Sequence, residues 1–146
     1  MRKTKIIVSF LLMSVLFSCE EAGYLLNCSD CITTEPLEGV VEIRLDDRFL
    51  SDYTINIYEG NLEDDYLIET ITPGNNPEGA SLSGNIYSIT LLLNRKYTVT
   101  AKYYHYGYYY VAVDAVIPRV KDMYDKCGET CFVVYDNICK MKLLGF

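Results

Sequence analysis

The residues of this 146-residue chain best suited to chemistry are its six cysteines, Cys19, Cys28, Cys31, Cys127, Cys131 and Cys139. Cys28-Ser29-Asp30-Cys31 has the spacing of a redox dithiol, and the cysteines at 28, 31, 127 and 131 match the ligand number of a structural zinc site. A redox thiol is activated by a helix start or a nearby cation, however, and the residues around Cys28 read as an irregular tether. The single histidine, His105, sits among tyrosines with neither a nucleophile nor an orienting carboxylate beside it. That pattern suits a turn residue better than a catalytic base. Asp46, Asp47 and Asp52 offer oxygens in one loop, but their spacing matches no calcium loop. Like Glu63, Asp64 and Asp65, they read as a solvated acidic turn. No G-x-S-x-G, H-E-x-x-H or phosphate-cradling glycine loop occurs. The expectation is a protein that is not an enzyme and holds no cofactor and no metal.

What the cysteines do depends on where the chain is delivered. Arg2, Lys3 and Lys5 precede an apolar run over residues 6–17. The run is too short to remain as a membrane-spanning helix and has the layout of a secretory signal. It closes on Leu16-Phe17-Ser18-Cys19, which resembles the lipobox of bacterial lipoproteins. The resemblance implies a signal peptide over 1–18 and lipid (palmitate and its like) on Cys19, which becomes the first residue of the mature protein. Several acyl chains at about 0.8 kcal/mol per buried methylene make a stable anchor. Glu20-Glu21 resembles the acidic pair that sends some Gram-negative lipoproteins to the outer face of the outer membrane. The expected location is therefore the outer membrane, lipid-anchored and exposed on the cell surface. Disulfides are the default in an exported protein. Cys28, Cys31, Cys127 and Cys131 are the disulfide candidates, and the sequence leaves their pairing open. Cys139 shares a parity with Met141 and Leu143, so a buried free thiol is expected there.

Stepping inward from the anchor, residues 19–38 form a tether that carries the C-x-x-C and is broken by Gly23, Asn27 and Pro36. Residues 39–146 then make one domain, a size that buries roughly two-thirds of its unfolded surface. Arg2, Lys3 and Lys5 belong to the signal, so the mature chain sets ten basic residues against 20 acidic ones. An acidic domain without a basic run is a poor match for nucleic acid or an anionic lipid surface.

From Val40 onward apolar residues alternate with polar ones, the period of strands. Val41, Ile43 and Leu45 mark a first strand, and Tyr53, Ile55 and Ile57 a second. A weaker third covers 66–71. The long loop 72–85, with Pro73-Gly74, Asn75-Asn76-Pro77, Gly79 and Gly84, leads to a fourth over 86–93. Tyr97, Val99, Ala101 and Tyr103 mark a fifth; Tyr109, Val111, Val113, Ala115 and Ile117 line one side of a sixth. Residues 121–130 are polar and irregular. Residues 131–135 and 138–144 form a last hairpin around Asp136-Asn137. The expected fold is all-β, a single antiparallel β-sandwich of seven or eight strands, immunoglobulin/transthyretin-like. Gly84-Asn85-Ile86-Tyr87-Ser88-Ile89-Thr90-Leu91, followed by Tyr97-Thr98-Val99-Thr100-Ala101, resembles the hairpin of transthyretin-like or carboxypeptidase regulatory-like domains. It departs from them in the cysteine-bearing segments at both ends. The resemblance implies an accessory, non-catalytic module.

Antiparallel succession assigns the turns to two ends. With the tether at the proximal end, loops 59–65, 94–96 and 118–130 are proximal too. Loops 46–52, 72–85, 104–108 and 136–137 are distal and face away from the membrane. Tyr103-Tyr104-His105-Tyr106-Gly107-Tyr108-Tyr109-Tyr110 forms the distal hairpin tip. Half of its rings should serve the core, while Tyr104, Tyr106, Tyr108 and Tyr110 form a candidate binding surface, since tyrosine presents apolar area with a polar end. The function expected is a membrane-anchored surface binding module with a protein or glycan partner. Two alternatives stay open: a glycan-binding accessory lipoprotein, and a structural part of an adhesin or fimbria joined by strand addition at a sheet edge.

Overall fold

The computed structural model describes residues 28, 31–75 and 80–143. The chain divides into two units, Met1–Asp30 and Cys31–Phe146. Cys28 is the one described residue of the first, so the signal-like run, the lipobox and Cys19 lie outside the described residues. The fold below is that of the second unit.

Alternating burial builds the strands. In chain order they are β1 (Glu38–Leu45), β2 (Tyr53–Glu59), β3 (Leu67–Ile71), β4 (Ser81–Ser83), β5 (Ile86–Leu92), β6 (Tyr97–His105), β7 (Tyr108–Val116), β8 (Arg119–Asp122), β9 (Phe132–Tyr135) and β10 (Ile138–Met141). A single helical turn, α1 (Tyr124–Cys127), and two 3-10 turns, Asp47–Phe49 and Leu62–Asp64, complete the described elements. The protein is all-β. Its strands form one four-stranded sheet ordered β10-β1-β5-β4, a second ordered β3-β2-β6-β7, and a ribbon of β8 and β9.

Among the described residues, ten strands in three sheets stand where seven or eight were expected. The additions are short and mostly solvated: β4 buries none of its three residues, and β8 is mostly exposed. Neither has a buried face to give a period of two. The hairpin expected from residues 131–135 and 138–144 is not formed. The chain does turn at Asp136, whose φ is 51°, but it leaves the ribbon. β10 runs parallel to β1, with Glu42 opposite Ile138 and Leu45 opposite Met141. Asn137 secures this docking: its carbonyl accepts from Glu42 N at 2.8 Å and its side-chain amide donates to Val40 O at 2.7 Å. Burial of Cys139 and Met141 beside Ile43 and Leu45 favours the parallel register.

Both four-stranded sheets feed one core. Val41, Ile43, Tyr87 and Met141 come from the first, and Ile55, Ile57, Val99 and Tyr103 from the second. The turns gather at two ends. At one, Tyr104 N donates to Asp52 O at 3.2 Å. At the other, Gly60 N donates to Lys96 O at 2.8 Å and Asn94 N to Pro118 O at 2.7 Å. Asp136-Asn137, expected at the first end, lies beside β1 because β10 is parallel.

Cys31 and Cys131 form a disulfide across 100 residues of sequence. Cys28 and Cys127 are each disulfide-bonded as well, and Cys139 is buried and free. Sulfurs joined in disulfides offer no thiolate to zinc.

Candidate functional site

The tyrosine-rich run becomes the end of the β6–β7 hairpin. A two-residue turn joins the strands, with Tyr106 at φ 48° and Gly107 at φ 83°. Both central residues take positive φ, which matches the twist of the flanking strands. The turn fixes His105 opposite Tyr108, Tyr104 opposite Tyr109 and Tyr103 opposite Tyr110.

That register decides which rings face out. Tyr103 is fully buried, so its partner Tyr110 turns the same way and stacks on Phe49, ring centroids 6.1 Å apart. Tyr110, expected on the exposed surface, is half-buried and packs against the core. Tyr109 takes the outward place instead, 64% exposed, with its ring 5.0 Å from that of Tyr104. Lys102 Nζ lies 3.9 Å from the centre of the Tyr109 ring, a cation–π contact. Tyr106, 87% exposed, and Tyr108 occupy the tip. The exposed set is thus Tyr104, Tyr106, Tyr108 and Tyr109.

His105 meets Phe49 edge-on at 5.0 Å and lies 4.1 Å from the Tyr106 ring. Neither neighbour is a nucleophile or a carboxylate able to orient a base. The histidine packs between these two rings.

No family model, curated protein or solved structure matches the chain.

Hydrogen bonds hold the base of the hairpin end in place. Tyr103 Oη donates to Met141 O at 2.8 Å and accepts from Asp46 N at 3.0 Å, joining β6, β10 and the end of β1. Burial pushes this phenol up to about 12. Asp46, only 2% exposed, is no solvated acid. Its carboxylate accepts from Arg48 Nε at 2.8 Å and Nη2 at 2.7 Å, and from Leu143 N at 3.1 Å. The Arg48 hydrogen bonds, helped by Leu143 N, outweigh burial and hold the Asp46 carboxyl well below the usual carboxylate range. Those oxygens are engaged and are poor calcium ligands. The sequence does carry a signal for this pair: an aspartate two residues before an arginine at a 3-10 start, where Asp46 also caps Arg48 N.

Behind the tip, the outward row of β7 continues through Val111 and Val113, both 56% exposed. The side of the strand marked by Tyr109, Val111, Val113 and Ala115 therefore faces solvent, while Ala112 and Val116 face the core.

Proposed function

We propose that the chain is a lipid-anchored, non-catalytic surface lipoprotein, held at the outer membrane through Cys19, whose β-domain binds a partner with the aromatic end of the β6–β7 hairpin. In this reading the two four-stranded sheets form a sandwich of the transthyretin-like kind. The observation that carries it is the contrast among the tyrosines. Tyr53, Tyr87, Tyr97 and Tyr103 are buried, while Tyr104, Tyr106, Tyr108 and Tyr109 are exposed together on a hairpin fastened from beneath by Tyr103 and Asp46. Exposed rings on a rigid support bind with little ordering penalty, since a tyrosine has few torsions to fix. Flat phenolic faces suit either a sugar ring or an apolar protein surface.

Two measurements test the reading. Mass spectrometry of the N-terminal peptide should show a lipidated Cys19, and Cys19→Ser should release the protein from the membrane fraction. Soluble mature chain should bind on an array of bacterial and host glycans, with Tyr106→Ala and Tyr108→Ala each weakening binding about tenfold, the loss of roughly 1.4 kcal/mol. An unmodified Cys19 removes the anchor. Glycan binding that survives both substitutions moves the site elsewhere.

A further inference from the structure

β7 is the last strand of its sheet, and among the described residues no strand pairs with its outer edge over Tyr109–Val113. Tyr104 N is bonded to Asp52 O on the β2 side, so the even-numbered backbone groups of β6 face β2 and the odd-numbered ones face β7. The cross-strand partners of those odd residues are Tyr108, Tyr110, Ala112 and Asp114. Tyr109, Val111 and Val113 must then hold their N–H and C=O groups toward the open side. Below them the edge is closed: Asp114 Oδ1 accepts from Ala115 N at 2.9 Å, and its Oδ2 accepts from Lys140 N of β10 at 2.8 Å. Above that closure β7 and the chain beyond β10 part, leaving a groove of about 510 Å³ lined by Tyr109–Val113, Lys142 and Leu143.

Edges of this kind are normally guarded by charge, proline, a bulge or shortness. The other edges of the two four-stranded sheets show such guards: β4 has three residues, β3 carries Glu69 and pairs across a bulge, and β10 carries Lys140. Tyr109–Val113 has no charge, no proline and an unbroken register with β6. The charge beside it is positive. Arg44, Arg48 and Arg95 each pair with a carboxylate. No described lysine pairs with a carboxylate, and two of them stand at this edge: Lys142 lines the groove and Lys102 lies over the Tyr109 ring. This unmatched positive charge occurs in a chain with 13 basic and 20 acidic residues.

We propose that the β7 edge over Tyr109–Val113 is an acceptor for an added strand, taking an extended segment of another polypeptide in which apolar residues alternate with acidic ones. The segment's backbone would complete the hydrogen bonds of Tyr109, Val111 and Val113. Its apolar residues would lie beside Val111 and Val113, and its carboxylates would meet Lys142 and Lys102. A second copy of this chain is disfavoured, because it would bring a net negative body and a second pair of the same lysines to the groove.

This edge shares Tyr109 with the aromatic surface, but Tyr106 lies in the turn outside it, so Tyr106→Ala should leave strand addition unaffected and the two readings can fail independently. The test is amide hydrogen exchange on the full chain, with a short synthetic peptide of alternating valine and glutamate and its valine–lysine counterpart as probes. The glutamate peptide should slow exchange at Tyr109, Val111 and Val113 by about tenfold or more while the lysine peptide does not. Val111→Lys should abolish the protection. Lys142→Glu, an exposed change that leaves the core untouched, should transfer the preference to the lysine peptide and keeps the test decisive if Val111→Lys fails to fold. No protection by either peptide, equal protection by both, or protection in the absence of peptide that rises with protein concentration (the second-copy outcome) each overturns the proposal.

Discussion

Two tyrosine hydroxyls end inside the same core and meet different surroundings. Tyr103 Oη bridges Asp46 N and Met141 O, whereas the buried Tyr87 Oη has no hydrogen-bond partner among the described residues. Removing a bridging hydroxyl leaves a buried donor and acceptor unmade, at about 1–3 kcal/mol; removing an unpartnered one relieves a desolvation penalty. Tyr103→Phe should therefore lower the urea midpoint, and Tyr87→Phe should leave it unchanged or raise it. The opposite ranking would mean that the bridge contributes nothing. Asp46 sits in the same network and gives it a pH dependence. Its carboxyl is depressed in the fold, so the stability it contributes is fully present above the unfolded value of about 3.9. That stability drains as pH falls from there through the folded value. Asp46→Asn should lose roughly 1–3 kcal/mol near neutral pH, because Arg48 and Leu143 N lose their charged acceptor. Its urea midpoint should also fall less steeply than the parent's between pH 5 and pH 2.

At the scale of elements, close approach replaces side-chain volume where the β8–β9 ribbon meets β1. A Cβ on Gly39 would stand 2.8 Å from Leu93 Cδ2 and 3.0 Å from Val134 Cγ1. Gly39→Val should thus cost about 1–3 kcal/mol by overpacking. A melting temperature equal to the parent's would show that the ribbon yields freely. Such a glycine, inside a strand, is silent in a sequence that offers no contrast between faces. The strands β1, β2, β5 and β6 were legible because valine, isoleucine and tyrosine alternate there with charged and polar residues. In β7 both parities are apolar, Tyr109, Val111 and Val113 on one and Tyr110, Ala112 and Val116 on the other, so alternation alone cannot choose the buried side. The choice was nevertheless present one step away. A buried Tyr103 and a two-residue turn at Tyr106-Gly107 force Tyr110 inward and Tyr109 outward. The parallel pairing of β10 with β1 left no local trace, because it depends on contacts nearly a hundred residues apart.

For the molecule as a whole, those distant contacts are what must be held. β1 lies between β5 and β10, so the first strand of the body cannot be completed until the last is in place. The cost of gathering such remote segments is chain entropy, and it grows with the separation bridged. The Cys31–Cys131 disulfide, across 100 residues, confines the unfolded chain in the same sense. A loop of that length gives about 4.7 kcal/mol on the entropic account, and measured losses for disulfides run at about 2–4 kcal/mol. Cys28 and Cys127 are disulfide-bonded as well, so the loss should appear when Cys28, Cys31, Cys127 and Cys131 are all replaced by Ser, which should lower the unfolding free energy by at least that smaller amount. The aromatic near-ultraviolet circular dichroism should persist below the transition, since Tyr103, Phe49 and Tyr110 pack together on hydrogen bonds the bridge does not touch. A loss below about 1 kcal/mol would mean that the unfolded chain already keeps its two ends together without the bond. Loss of the aromatic signal at equal stability would mean that the bridge shapes the native packing and not only the ensemble it folds from.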